Sequence, residues 1–298
     1  MRSIRLLMAM GLLALAGCAH GPGPLSQATI APQTVTVRES AGDPAQVQEV
    51  LLEMGQAELS LAPGGEALVE GTIAYNHADL KPTVARTGNH LEIRQAFFDV
   101  IHPAIRPGDL LNRWMLKLGS YPIELEIRAG AYKATMDLGG LPLQRLTVHD
   151  GASDVKLTFS APNPAEMSRM QYDTGASSVQ LTGLANANFA LLDFSGGAGD
   201  YLLDFSGELR RDADAEIHVG VSDVELRFPK GTPAVVNVEG GLKDVSLIGD
   251  WQVDGDRYTR AGRGPRLSVH VTAGAGHVTL NASGEDGGTE PAPTVPFS

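Results

Sequence analysis

One phrase recurs along this chain and limits its fold more than any other feature: apolar-x-apolar-x-x-Gly-x-x-x-apolar-x-apolar. Gly151, Gly175, Gly197, Gly220, Gly241 and Gly274 each stand four residues before an apolar anchor: Val155, Val179, Tyr201, Val224, Val245 and Val278. Two residues later comes a leucine every time: Leu157, Leu181, Leu203, Leu226, Leu247 and Leu280. Before each glycine the pairs Leu146/Val148, Met170/Tyr172, Leu192/Phe194, Ala215/Ile217, Val236/Val238 and Val269/Val271 keep the same register. Two further copies centre on Gly55 (Val50, Leu52, Leu59, Leu61) and Gly130 (Leu125, Ile127, Ala134, Met136), making eight.

From Ala134 onward the anchors lie 21, 24, 22, 23, 21 and 33 residues apart. A fixed period of this size marks an array whose single unit cannot bury its own apolar face. Alternation on both sides of the glycine predicts two strands per unit. Glycine at the bend permits either a positive φ or a close backbone approach. The expected fold is all-β: a β-solenoid of about eight 21–24-residue repeats, stacked at ~4.8 Å per layer. The 33-residue gap holds an extra hairpin, Trp251 to Tyr258, with Asp254-Gly255 as its turn signal.

Between Pro63 and Leu118 the repeats are interrupted by an insertion with strand signals of its own: Leu68–Tyr75, His90–Gln95 and Trp114–Leu118. A short helix from Pro107 through Trp114 is a further expectation. The chain therefore divides into a segment at 45–124 carrying the insertion and repeats at 125–282. A Gly/Glu/Pro-rich tail at 283–298 is expected to be disordered. Solenoid ends are sticky unless capped, so self-association is open, with the 63–118 insertion and the tail as the expected caps.

The first residues belong to none of this. Arg2 and Arg5 precede an apolar run from Leu6 to Ala16, too short to span a bilayer, which ends in Leu15-Ala16-Gly17-Cys18. That is the pattern of a bacterial lipobox: residues 1–17 a signal peptide, Cys18 the acylated (palmitate-type) residue, 18–44 a flexible tether. Cys18 is the sole cysteine, so no disulfide within the chain is available. The expected location is the bacterial cell envelope: outer membrane or periplasmic face in a diderm, cell surface in a monoderm. Without residues 1–17 the chain carries 21 basic against 35 acidic side chains, which argues against nucleic acid and anionic lipid as partners.

The succession Glu70-Gly71-Thr72-Ile73-Ala74-Tyr75-Asn76, Lys81-Pro82, Leu91-Glu92-Ile93-Arg94-Gln95 and Trp114-Met115-Leu116, followed by the glycine repeats, resembles the toast-rack domain over about residues 45–281. That domain occurs in LiaF-type cell-envelope stress regulators and in adhesin-type proteins. The resemblance implies a β-solenoid-like fold at the envelope, no enzyme activity and no cofactor. LiaF-type regulators carry transmembrane helices before the domain, where this chain has the lipobox.

Few residues suggest chemistry. Asp173-Thr174-Gly175 matches the loop of aspartic proteases, in which two carboxylates share a proton to activate water; as a bend of the fourth repeat it needs no such role. Asp154, Asp200, Asp223 and Asp244 recur just before the apolar anchors, with Ser178 and His277 in the same slot. Stacked, they would form an edge of carboxylates able to take Ca²⁺, or simply solvated charges that discourage strand pairing. The histidines show no metal spacing, and His149, Asp150 and His218 read as surface or rim residues. The expectation is a non-enzymatic, lipid-anchored envelope protein whose solenoid is an adhesin-like interaction or scaffold module, its partner an envelope protein or polymer. The alternatives are an accessory of envelope-stress signalling and, third, a cell-wall-acting or aspartic-type hydrolase.

Overall fold

The computed structural model describes residues 30–95 and 110–284. Cys18 and the signal segment, the part of the expected helix before Asn112 that falls on 107–109, and residues 285–298 of the tail lie outside them. In chain order the strands are β1 (Gln33–Glu39), β2 (Gln48–Gly65), β3 (Val69–Tyr75), β4 (Thr83–Thr87), β5 (His90–Arg94), β6 (Asn112–Gly119), β7 (Ile123–Asp137) and β8 (Leu143–Thr158). They continue as β9 (Met167–Thr182), β10 (Phe189–Asp204), β11 (Ala213–Pro229), β12 (Ala234–Ile248), β13 (Gln252–Asp254), β14 (Arg257–Arg260) and β15 (Leu267–Gly284). The described helical residues form only two short 3-10 turns, Ala78–Leu80 and Leu184–Ala187.

Each of the eight phrases is one continuous strand, not two. Strands β2, β7 to β12 and β15 are 15–18 residues long and bend at their glycines while their pairing continues on both sides. Around Gly197, for example, Gly196 pairs with Thr174 and Ala198 with Ala176. The glycines are needed for close approach rather than for a positive φ. A methyl group at Gly151, Gly175, Gly197, Gly220 or Gly274 would lie 2.3–2.8 Å from the carbonyl oxygen of the preceding repeat glycine in the stack.

The bend turns the inner faces of the two arms toward each other. Phe194 on the first arm of β10 meets Tyr201 on its second arm, ring centroids 5.0 Å apart. Because side chains alternate, each strand sends every second residue into this space. Leu157, Leu181, Leu203, Leu226 and Leu280 form one fully buried row across successive layers. Each buried leucine stabilises by about 1.5–3 kcal/mol relative to exposure. Asn163 clamps the return loops, its Nδ2 donating to the Leu143 carbonyl at 2.8 Å and the Ala187 carbonyl at 3.0 Å.

The insertion builds an end layer in two pieces. Strand β5 pairs with the first arm of β2, and β6 pairs with its second arm. Antiparallel β4 covers β5, while β3 and then β1 cover β6. Two expectations are corrected here. Residues 33–39 are not tether: alternating Thr34-Val35-Thr36-Val37 buries Val37 and makes a strand. Asn112 to Trp114 are strand rather than helix, with Trp114 fully buried. The insertion covers this end together with β1, which lies outside it and is the outermost strand over β6.

A charged cluster fastens β5 to β2. His90 Nε2 lies 2.7 Å from Glu92 Oε1, and its Nδ1 lies 3.1 Å from Glu49 Oε2 on β2. The hydrogen bond to Glu92 raises the imidazole pKa above its ordinary value; burial opposes it, and the hydrogen bond to Glu49 adds to the rise. Its stabilising contribution is therefore complete below the unfolded pKa of ~6.5 and lost as pH rises through the higher folded value. Thermal midpoints measured between about pH 6 and 8.5 should fall less steeply in His90→Gln than in the parent. Parallel curves would remove His90 from the pH dependence.

The other end departs from chain order. The sheet runs β11, β15, β12, β14, β13, so the last repeat inserts between its two predecessors. The hairpin explains this. Strand β14 occupies the outer side of β12 at Ala234–Asn237, leaving the inner side for parallel β15. Strand β12 is accordingly the outermost repeat, and its Leu247 is 39% exposed where Leu280 of β15 is fully buried.

Candidate functional site

Three arrangements carry polar chemistry. The first lies on the outer face of the second arms, where the register aligns Lys133, Asp154, Ser178, Asp200, Asp223, His277 and Asp244. The structure thus brings Asp154, Asp200, Asp223 and Asp244 into one row, but only Asp200 and Asp223 are adjacent. Lys133 pairs with Asp154 at 3.4 Å, and His277, inserted by β15, pairs with Asp244 at 3.3 Å. A shallow groove of about 370 Å³ runs beside Ser178, Asp200, Asp223, Glu225 and His277. Among the described residues no group of three or more His, Cys, Asp or Glu side chains is placed to hold a metal ion.

The second is the outer face of the first arms, where cross-strand ion pairs join successive layers. Arg145 meets Glu124 at 3.5 Å, Arg169 meets Asp193 at 2.5 Å, and His149 meets Asp173 at 3.0 Å. Exposed pairs like these contribute little stability individually, at most about 1 kcal/mol. The carboxylate of Asp173 accepts from Gln171 as well, at 2.7 Å. Its contacts are an imidazole and an amide, and the neighbouring Thr174 points to the other face. The Asp-Thr-Gly string is a bend of the repeat, and among the described residues no second carboxylate bonds to Asp173.

The third runs along the inside of the bend. Asp150 is two residues beyond buried Val148, and the same alternation that buries Val148 turns Asp150 inward instead of to the rim. Tyr172 Oη donates to its Oδ2 at 2.8 Å, Ser153 Oγ donates to its Oδ1 at 2.9 Å, and Thr174 Oγ1 also donates to Oδ1. Ser177 Oγ sits 2.6 Å from Thr174 Oγ1 and accepts the Ser153 backbone N–H at 3.0 Å. On either side stand Tyr132 and Tyr201, both buried; the Tyr132 hydroxyl is directed at the Tyr172 hydroxyl and the Asp150 carboxylate, while that of Tyr201 has no hydrogen-bond partner. Burial, and next the Asp150 charge, hold the Tyr132 and Tyr201 phenols above their ordinary pKa. A cleft of about 750 Å³, lined by Tyr132, Ser153, Asp154, Glu58, Asn112 and Arg113 among others, opens nearby. Parity from Val148 was the available signal for Asp150; the convergence of three tyrosines on it has none, because they come from different repeats at different offsets.

Among solved structures, a candidate cell adhesion protein from Clostridium sporogenes is similar over 85% of this chain and 99% of its own, with 19% identity and a TM-score of 0.46. A candidate adhesin from Bacteroides fragilis is similar over 84% and 97%, with 10% identity and a TM-score of 0.38. A third, from Parabacteroides merdae, is similar over 85% and 96%, with 12% identity and a TM-score of 0.36. No curated protein matches the chain in sequence. The family described as the N-terminal domain of toast_rack, DUF2154, matches residues 28–182, more than half of the chain, across the split end layer and the first repeats. This protein belongs to the toast-rack family.

Proposed function

We propose that this is a lipid-anchored protein of the bacterial cell envelope whose toast-rack sheet is an adhesin-like interaction module. The observation that carries this reading is the outer surface. Eight layers in continuous register present long rows of charged side chains, while the buried rows behind them serve only to hold those outer rows in line. An extended, regularly spaced face suits recognition of an extended envelope polymer or protein. Family membership supports the envelope setting, and the adhesin-like character is drawn from what the similar structures are described to be. Cys18, twelve residues before the first described residue, supplies the anchor; its lipid holds the module at the membrane without a spanning helix.

Cys18→Ala should move the protein from the detergent-requiring membrane fraction to the soluble fraction, with no change in thermal midpoint. Equal partition of parent and variant would remove the anchor. A pull-down from native membranes with the lipidated parent should recover wall polymer or surface protein. Reproducible recovery of a sensor kinase instead would place the protein in envelope-stress signalling, as in LiaF-type relatives of the fold.

A further inference from the structure

We infer that the inside of the bend around Asp150 is a binding site for a hard cation, held by oxygen ligands alone. The Asp150 carboxylate is half-buried and, among the described residues, no lysine, arginine or histidine forms an ion pair with it. The groups that bond to it are neutral hydroxyls alone, so the cluster holds a negative charge and no positive one. The surroundings of the carboxylate are hydroxyls: Ser153, Thr174 and Tyr172 within hydrogen-bond reach, Tyr132 directed at the same carboxylate, and Tyr201 buried beside them with its oxygen unused. Tyr201 is 2% exposed, so bulk water does not satisfy that oxygen from outside.

The donor set selects the ligand. It offers oxygens and no nitrogen or sulfur, which suits Ca²⁺ or Na⁺ and not a transition metal. An anion is excluded by the carboxylate. With one carboxylate the affinity for Ca²⁺ should be weak, on the order of 10⁻³ M. The site differs from the outer row of Asp200 and Asp223, which faces the opposite side of the same sheet.

Thermal unfolding of the soluble Cys18→Ala chain, in CaCl₂, NaCl and choline chloride at matched ionic strength, tests this. Either Ca²⁺ or Na⁺ should raise the midpoint above the choline value, by about 3–5 °C at tenfold over Kd; which one does so identifies the ion. Tb³⁺, standing in for Ca²⁺, should gain luminescence on tyrosine excitation if the calcium arm holds. Asp150→Asn should abolish the ion-specific shift, and Thr174→Val, which keeps side-chain shape, should shrink it. The double change Asp200→Asn, Asp223→Asn should leave it intact. Identical midpoints in all three salts would overturn the proposal, as an ordered water would then suffice. So would a shift that survives Asp150→Asn, or one lost in the Asp200/Asp223 variant, which would move the ion to the outer row.

Discussion

Gly175→Ala should lower stability by about 3 kcal/mol or more, whereas Gly241→Ala, at the same place in an identical phrase, should change it by less than about 0.5 kcal/mol. The added methyl at Gly175 would lie 2.3 Å from the Gly151 carbonyl oxygen and 3.3 Å from its carbon. Neither atom is the end of a mobile side chain. Relief requires one bent strand to move away from the next, and the layers on both sides resist because each is paired along its length. At Gly241 the nearest atom is the Gly274 carbonyl oxygen at 3.5 Å, an ordinary contact, and β12 is the outermost repeat with no further repeat strand beyond it. Gly130→Ala, at 3.2 Å from the Gly55 oxygen, should fall between. For a domain of this size 3 kcal/mol corresponds to about 6–12 °C in thermal midpoint. Equal midpoints for the Gly175 and Gly241 variants would mean that the ladder of glycines relaxes freely and that close approach is not what requires them.

That contrast also marks what the sequence can and cannot say. Glycine spacing and the Val/Leu parity determine which residues share a layer and which face inward. The register from Val155 to Val179, Tyr201 and Val224 is the one read from the phrase. The phrase is blind to layer order. Val245-x-Leu247 and Val278-x-Leu280 are equivalent as patterns, yet one pair belongs to the outermost repeat and the other to an interior layer. Only the pairing of Ala234–Asn237 with β14 distinguishes them, and that depends on where a short hairpin folds. Counting strands from alternation fails for a related reason: apolar residues on both sides of a glycine look the same whether pairing stops there or continues through it.

For the polar sites the same limit applies. The row Asp154, Asp200, Asp223 and Asp244 was legible as a slot, because equal offsets in equal repeats must align. Its interruption by His277 was not, since that follows from the exchange of β12 and β15. The Asp150 cluster is invisible for a stronger reason. Tyr132, Tyr172 and Tyr201 occupy different offsets within their repeats, and only the bend brings their rings to one carboxylate. Asp-Thr-Gly at 173–175 illustrates the converse: a familiar local string whose first residue faces outward and whose second faces inward.

Asn112→Ala should release the cap at the split end layer before the rest of the sheet unfolds. Strands β5 and β6 leave a break between them opposite the bend of β2, and three polar side chains close it. Asn112 Nδ2 donates to the Gln56 carbonyl at 2.7 Å and to Gln95 Oε1 at 2.8 Å, while Asn112 Oδ1 accepts from Gln95 Nε2 at 3.0 Å and from Trp114 Nε1 at 3.1 Å. Alanine removes every one of these bonds in a buried site, leaves the Gln56 carbonyl without this donor and opens a void beside Trp114. A cost of about 2–4 kcal/mol follows, concentrated at one end because neighbouring layers of such a stack are coupled only in sequence. Hydrogen exchange should then show faster opening of β1, β3 and β6, with protection in β9 and β10 unchanged. Loss of β6 would expose the second arm of β2 as a free edge, so the variant should also self-associate with rising concentration, which the parent should not. Uniform loss of protection across the sheet would mean that the stack unfolds as one unit and that its ends are not separately held; no loss anywhere would mean that Trp114 packing alone keeps the cap in place.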